Sequence, residues 1–348
     1  MNRAVHIVAV AARTPVGLSA EGSAAAVRAG ITRMREHDFM VDAAGEPLRC
    51  ASDGVLEPGL LGYRRVSALA RAALIEAVGK LGRRASNDTF SVLLSLPEAR
   101  PGFGVNEARR VQRDLMLESE SGPRFQVERV GEGHAGAIHA LERAIVRIAN
   151  AQDELVIVAG ADSYLDADTL DWLEADRRIL RAETRSGLLP GEGAAAIVLA
   201  STNIQRQLRL PTLGYVRAAA CAQEKRDPMQ GAGTLGEALT EAVVRVAGDS
   251  IDERAYVADV YCDINGERSR GTDWGFALLR TGAWFRDGTQ YVMPVGACGD
   301  LGAASAAFNV VLAVRAWQRG YAHGPRAVVW GASWKGLRGA ALIEQGEA

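Results

Sequence analysis

The sequence predicts an α/β protein made of two similar halves, with central helices enclosed between β-sheets. The first observation behind this is an internal repeat. The segment GHAGAIHALERAIVRIANAQDELVIVAGADS, from Gly133 to Ser163, resembles GDLGAASAAFNVVLAVRAWQRGYAHGPRAVVWGASW, from Gly299 to Trp334. Each copy runs from a glycine-rich turn into an Ala-rich helix, then through a polar loop into a β-branched strand ending in Gly-Ala. The second observation is the composition of those helices. They are nearly apolar on several faces, and such a helix needs cover on all sides.

In chain order, the apolar run AVHIVAVAA (residues 4–12) reads as a first strand, closed by the turn Arg13-Thr14-Pro15. It is too short to span a bilayer, and no cleavage-site pattern follows it. The strand RFQVERV precedes the first glycine-rich turn and helix, and Leu155 to Ala159 is the strand after them. An excursion from Leu165 to Pro190, absent from the second copy, leads into the strand GAAAIVLA. In the second copy Ala327 to Trp330 and GAALIEQ take the places of those two strands, and a few extra residues fall around Gly324-Pro325. These correspondences divide the chain at about 1–205 and 206–348, with residues 206–255 matched least.

Bulk composition narrows the function classes. The 348 residues are 48% hydrophobic and 24% charged, the profile of a globular protein, and the net charge of −2 argues against nucleic acid or an anionic membrane as partner. Cys50, Cys221, Cys262 and Cys298 are scattered with no C-x-x-C pair, so a reduced, cytoplasmic setting is expected, without structural zinc. His134 and His139 lie five residues apart, on diverging faces of a helix, and no metal is expected there.

The stretch VGEGHAGAIHALERA, beginning at Val130, permits two readings. Gly131-x-Gly133-x-x-Gly136 has the spacing of a dinucleotide-binding turn, between a strand and a helix, with Asp162 at the end of the next strand. Against this, RFQVERV carries Glu128 and Arg129, unlike the apolar central strand of such a unit. The other reading is a turn that places a nucleophile at a helix N-terminus.

Further motifs favour the second. RSGLLPGEGAAAIVL, from Arg185 to Leu199, resembles the β-ketoacyl synthase segment in which R-D-G-F-V-x-G-E-G-A runs into a strand; Gly187, Gly191, Glu192, Gly193 and Ala194 also match. RTPVGL followed by AVRAGITRM resembles that family's T-P-x-G turn and A-G-x-S-G-I. VIVAGADS is similar to its V-A-G-G-A-E strand, and DLGAASAA to its L-G-A-A-G-A helix start. The resemblance covers most of the chain. It implies the thiolase-like fold, a five-layer αβαβα sandwich built from two duplicated halves, and a homodimer in which RFQVERV pairs across the two-fold axis.

The family's condensing enzymes attack an acyl thioester with a cysteine whose thiolate is favoured by the helix dipole, and backbone N–H groups hold the oxyanion. In this sequence His134 stands in the place of that cysteine, in His134-Ala135-Gly136, with His139 further down. The first assisting histidine, of N-A-H-G-T, is matched by Asn265 in Asp263-Ile264-Asn265-Gly266-Glu267; the second, of T-G-H-x-L-G-A-A, by Gly299. The lysine usually found a few residues upstream has no counterpart, and the aromatic gate maps to Gly336, two positions after Trp334.

With all three side chains replaced, the resemblance implies a protein without condensing activity. It would be a binding or partner subunit, as homodimer or as heterodimer with an active ketosynthase, facing an acyl-carrier protein or acyl thioester. Two alternatives stay open: altered acyl-transfer chemistry centred on His134 with Asn265, Glu267 or Asp300, and dinucleotide binding. The expected pocket comprises His134, Asn265, Glu267, Cys298 and Asp300, with no resident cofactor. The polar run Asp263, Asn265, Glu267, Arg268, Arg270 and Asp273 is open to two readings, a new site beside His134 or a loop whose charges pair at the surface. The fold implied places Asn265 and Asp300 near His134 and turns the rest away, and Glu192 is expected to hold the glycine-rich turn as a structural carboxylate.

Overall fold

A computed structural model describes residues 5–346 apart from 43, 83–88, 118–121, 182, 183, 185, 226–232 and 249–255. Arg185, the first residue of its motif, therefore lies outside the described residues. The strands of the main sheet are β1 (Val5–Arg13), β4 (Thr89–Leu96), β5 (Arg124–Glu132), β6 (Leu155–Ser163), β7 (Glu192–Ser201), β8 (Gly214–Gln223), β9 (Asp259–Cys262), β10 (Arg326–Ala332) and β11 (Leu337–Gln345). A separate hairpin joins β2 (Met34–Val41) to β3 (Pro47–Ala51). The helices are α1 (Ala20–Arg28), α2 (Gly62–Gly79), α3 (Val105–Met116), α4 (Gly136–Ala149), α5 (Ala167–Ala175), α6 (Thr202–Leu208), α7 (Glu237–Ala247), α8 (Arg268–Thr281), α9 (Val295–Cys298) and α10 (Ser305–Gln318).

The nine strands run in the order β5-β4-β6-β7-β1-β8-β11-β10-β9. Among the described strands the two sides of this sheet pair where Val5, His6 and Ile7 of β1 meet Val216, Tyr215 and Gly214 of β8. On the β1 side, β4 is parallel to both β5 and β6, and β7 is antiparallel to β6 and β1. On the β8 side, β9 and β10 are parallel and β11 is antiparallel to β10 and β8. The expected sandwich is thus closed at one seam into a single continuous sheet.

Layering follows from the two faces of each strand. Val158 and Val329 face inward, joining Ile138 and Leu141 of α4 and Phe308 and Val311 of α10 in the central core. Their neighbours Ile157 and Val328 face outward: Ile157 packs with Leu69 and Leu74 of α2 and Val111 of α3, and Val328 with Leu239 and Val243 of α7 and Trp274 of α8. Strands covered on both faces lose polar alternation, and this produces runs such as LVIVA.

The glycines of the repeated Gly-Ala strand ends have a packing role. A Cβ on Gly160 of β6 would collide with the backbone of Ala303, at the turn that opens α10. One on Gly331 of β10 would lie 2.8 Å from the carbonyl oxygen of His134, at the turn that opens α4. Each central helix start is therefore seated against the glycine of the opposite side.

One expectation needs correction. In α10 only Arg315 and Gln318 escape burial, but α4 keeps an exposed face that includes Arg143 and Val146. The cause is position: α4 lies beside the edge strand β5, where Arg143 and Arg147 reach Glu128 at 3.2 and 3.0 Å. No helix among the described residues is long and apolar enough to cross a membrane.

Candidate functional site

His134 sits in the turn between β5 and α4 and is 1% exposed. Its Nε2 lies 2.8 and 3.1 Å from the two carboxylate oxygens of Asp300, in the turn before α10. Asp300 is fixed by its own backbone N–H, which donates to Leu189 O at 2.7 Å, and by Gly302 N–H, which donates to its Oδ1 at 2.7 Å. Asn265 donates from Nδ2 to Asp300 Oδ2 at 2.5 Å. Arg270 of α8 brings Nη2 to 3.2 Å from both ring nitrogens of His134. A guanidinium only donates. Asp300 therefore accepts from Nε2, and Arg270 lies as a donor beside the ring.

The shell around these groups leaves little unmatched. Arg270 pairs with Asp263 and donates to Ala332 O at 2.7 Å, and Ala332 N–H donates to Asp263 at 2.8 Å. Ser333 Oγ accepts from Ala135 N–H at 3.0 Å and donates to Glu132 O at 2.9 Å. The N–H group following His134 is thus already occupied and cannot hold a developing oxyanion. Burial pushes the Asp300 carboxyl up, but His134, the Arg270 guanidinium and the Asn265 amide outweigh it and hold it well below the usual carboxylate range.

Glu267, at the N-cap of α8, is the seal. Burial acts to raise its carboxyl, yet Arg270 and then Arg178 keep it below the ordinary range. It accepts from Arg178 Nε at 3.0 Å, Asn265 Nδ2 at 3.2 Å, Trp334 Nε1 at 3.2 Å and Arg270 Nε at 3.3 Å. Trp334 also packs its ring 5.9 Å from that of His134 and 4.3 Å from the Arg178 guanidinium. Beyond Glu267 and Trp334 opens a cleft of about 520 Å³, whose wall includes Arg177, Arg178, Arg268, Ser269 and Arg270. A separate void of about 10 Å³ touches Asn265, Gly299 and Asp300.

The expected pocket is therefore only partly a pocket. His134, Asn265 and Asp300 are brought together but buried, and Glu267 alone of the five reaches the open cleft. Cys298, in α9, is fully buried, its Sγ donating to Pro294 O at 3.2 Å, and burial pushes its thiol far up. Gly299 has no room for a side chain, since a Cβ would lie 2.9 Å from Pro190 O. The polar run around residues 261–275 does not pair at the surface as expected: Asp263, Arg270 and Asp273 are buried, and Arg338 reaches Asp273 from β11 at 2.7 Å. Arg178 and Ser333 carry no sequence signal for their roles. For Arg270, the three-residue spacing from Glu267 across a helix start is a usable one.

Glu192 is a structural carboxylate, though its partners are not the glycine-rich turn. It accepts from Arg65 Nε and Nη2 at 2.5 and 2.7 Å, Asp53 N–H at 2.7 Å and Ser163 Oγ at 2.9 Å. It ties α2 and the loop before it to the ends of β6 and β7.

No family model matches the chain, and no curated protein matches it. Solved structures do. The ishigamide ketosynthase/chain length factor superposes with a TM-score of 0.83 at 14% identity, covering 100% of both chains. AntDE:AntF, a type II PKS acyl-carrier protein in complex with its ketosynthase, gives 0.76 at 12%, covering 99% of this chain and 100% of the other. The ketosynthase from module 6 of the bacillaene synthase of Bacillus subtilis 168 gives 0.71 at 14%, covering 99% and 72%.

The fold is the thiolase-like fold of ketosynthases.

On this ketosynthase fold the glycines of residues 131–136 have internal work. A Cβ on Gly133 would collide with the Glu98 carboxylate, and one on Gly136 with Ser95 Oγ. Glu98 is itself held by the N–H groups of Trp334 and Lys335, both at 2.7 Å. The space over the turn that a pyrophosphate would need is filled by protein, and β5 is an edge strand of the ketosynthase sheet rather than a central one.

Proposed function

We propose that this chain is a ketosynthase-like protein without condensing activity that acts as a binding or partner subunit. The observation that carries the reading is the residue in the nucleophile turn: an imidazole, sealed from solvent and held between Asp300 and Arg270. Condensation by this fold needs a thiolate that can be reached by a thioester. Here the turn offers no thiol, Asn265 and Gly299 stand in the places of the assisting histidines, and Ser333 occupies the Ala135 N–H that follows His134. The comparison with a ketosynthase/chain length factor supports a paired arrangement.

For the pairing surface, the reading takes the free edge of β5 together with the exposed face of α4, for a second copy or for an active ketosynthase. Among the described residues β5 has a strand neighbour on one side only, and its exposed Arg124 and Gln126 alternate with buried Phe125 and Val127, a pattern suited to strand pairing. A docked acyl-carrier protein belongs to the same reading, as does the division of the chain into halves at 1–205 and 206–348.

The test is acyl transfer, followed by intact-mass spectrometry and product analysis with acyl thioesters of coenzyme A and of an acyl-carrier protein. The expected result is neither a covalent adduct nor turnover. Turnover that disappears in a folded His134→Ala variant would replace this reading with altered chemistry centred on the His134–Asp300 pair.

A further inference from the structure

A cavity of about 220 Å³ lies between the hairpin β2–β3, the loop before α2 and the segment after β6, and shares no residue with the cleft beyond Trp334. Its apolar wall consists of Phe39, Cys50, Pro58, Leu61 and Leu165. Phe39 and Leu61 are 81% and 57% exposed, so two large apolar side chains stand uncovered at its rim. Burial pushes the Cys50 thiol up to about 11, which makes it a neutral part of the wall rather than a nucleophile.

Unmatched polar groups border the same space. A wider cleft of about 510 Å³, between the turn after β1, the start of β2 and the residues after β3, shares Arg35 and Ser52 with the cavity. Ser52 is 5% exposed, and its Oγ has no hydrogen-bond partner among the described residues. A buried hydroxyl left unmatched costs free energy unless something entering the cavity pairs with it. Arg33 and Arg35 are exposed, and among the described residues neither guanidinium pairs with a carboxylate. The wider cleft has no carboxylate in its wall and the cavity has one, Asp38, while Arg65 is matched by Glu192. His37 Nδ1 accepts from the N–H groups of Phe39 and Met40 at 3.2 and 3.1 Å, so its Nε2 carries the proton and adds a donor to the cavity wall.

We infer that this cavity binds a small carboxylic acid with a compact apolar body, the body against Phe39, Leu61 and Leu165 and the carboxylate at the join with the wider cleft, on Arg35 and Ser52. A free guanidinium and a free hydroxyl bordering one apolar space suit a single carboxylate: charge-assisted hydrogen bonds meet its oxygens while apolar surface is buried behind it. A body carrying a second negative charge would meet Asp38 or the apolar wall. At about 220 Å³ the space falls below the roughly 300–1,000 Å³ of most small-molecule sites, which limits the body to a single ring or a short chain. None of these residues belongs to the cluster around His134, so occupancy does not depend on the proposed loss of condensing activity.

Ligand-observed NMR titration of the whole chain with benzoate tests the site, with benzyl alcohol as the same body without the charge. Benzoate is expected to bind, and benzyl alcohol to bind roughly fivefold more weakly or less. Arg35→Gln should weaken benzoate roughly five- to tenfold. Ser52→Ala should weaken it roughly threefold without lowering the thermal midpoint of the unliganded chain, since the hydroxyl it removes has no partner. Arg286→Gln, at an exposed position outside the cavity, should leave affinity unchanged. Absence of benzoate binding, equal affinity for benzyl alcohol, or binding undiminished in both cavity variants overturns the site. A lowered midpoint in Ser52→Ala would make the hydroxyl part of the framework and overturn its role as a ligand donor. Acyl transfer in the preceding experiment would overturn the proposed function and leave this site standing.

Discussion

The sealed cluster around His134 and the open cleft on the far side of Trp334 are built from the same side chains, chiefly arginine and carboxylate. They differ in matching. In the cluster, Arg270 meets Asp263 and Glu267, and Asp300 accepts from His134, Asn265 and Gly302, while Asp263 Oδ1 is buried without a partner. In the cleft, Arg177 and Arg268 face solvent and Arg178 retains an unmet donor. Buried charge is tolerated only when paired and hydrogen-bonded. A matched network therefore reads as framework, and guanidinium groups left without a carboxylate are confined to the opening.

Arg270 and Arg268, two residues apart at the start of α8, make the contrast testable within one turn. Arg270→Met removes the partner of Asp263 and strands buried carboxylates; about 3–5 kcal/mol of stability should be lost in chemical denaturation. A loss below about 1 kcal/mol would mean that the cluster is not held by charge matching.

Asp300→Asn comes next, at about 1.5–3 kcal/mol for hydrogen bonds made by a charged group. It also carries a pH signature. The folded state holds Asp300 below its ordinary range, so its contribution is complete above the unfolded value near ~4 and is lost as pH falls below that towards the depressed folded value. Denaturation between neutral and acid pH should therefore show a shallower acid loss in the variant than in the wild type. Equal slopes would assign the acid sensitivity elsewhere, Glu267 being the next group held low.

Trp334→Phe keeps a ring against Arg178 but removes the N–H that reaches Glu267. A cost of about 0.5–1.5 kcal/mol is expected in chemical denaturation. Smallest is Arg268→Gln, expected within about 0.5 kcal/mol of wild type in stability. A large effect there would place Arg268 with the matched framework and remove the contrast.

The same division governs what could be read in advance. The six strands drawn from sequence correspond to β1, β5, β6, β7, β10 and β11, their ends shifted by up to a few residues; in all but the edge strand β5, uninterrupted apolar runs reflect cover on both faces. The repeated Gly-Ala strand ends were legible too, since Gly160 and Gly331 leave room for the backbone of the opposite helix start to approach. The exposed side of α4 was misjudged because Ala-rich composition does not reveal that its neighbouring strand is an edge. Asn265 and Asp300 could be placed near His134 by resemblance. Arg270, Asp263 and Glu267 could not be placed as sealing groups, because polar residues near a strand end read alike whether they face water or each other.

Local pattern, by itself, determined the order of turn, helix and strand and the presence of an imidazole at the turn before α4. These depend on residues adjacent in the chain. Whether that imidazole meets a substrate or a carboxylate was decided only by tertiary structure. Asp300 is 166 residues away and Arg270 136 away, and only the packing of α4, α8 and the turn before α10 around one point closes the site at His134 and leaves the cleft open at Arg268.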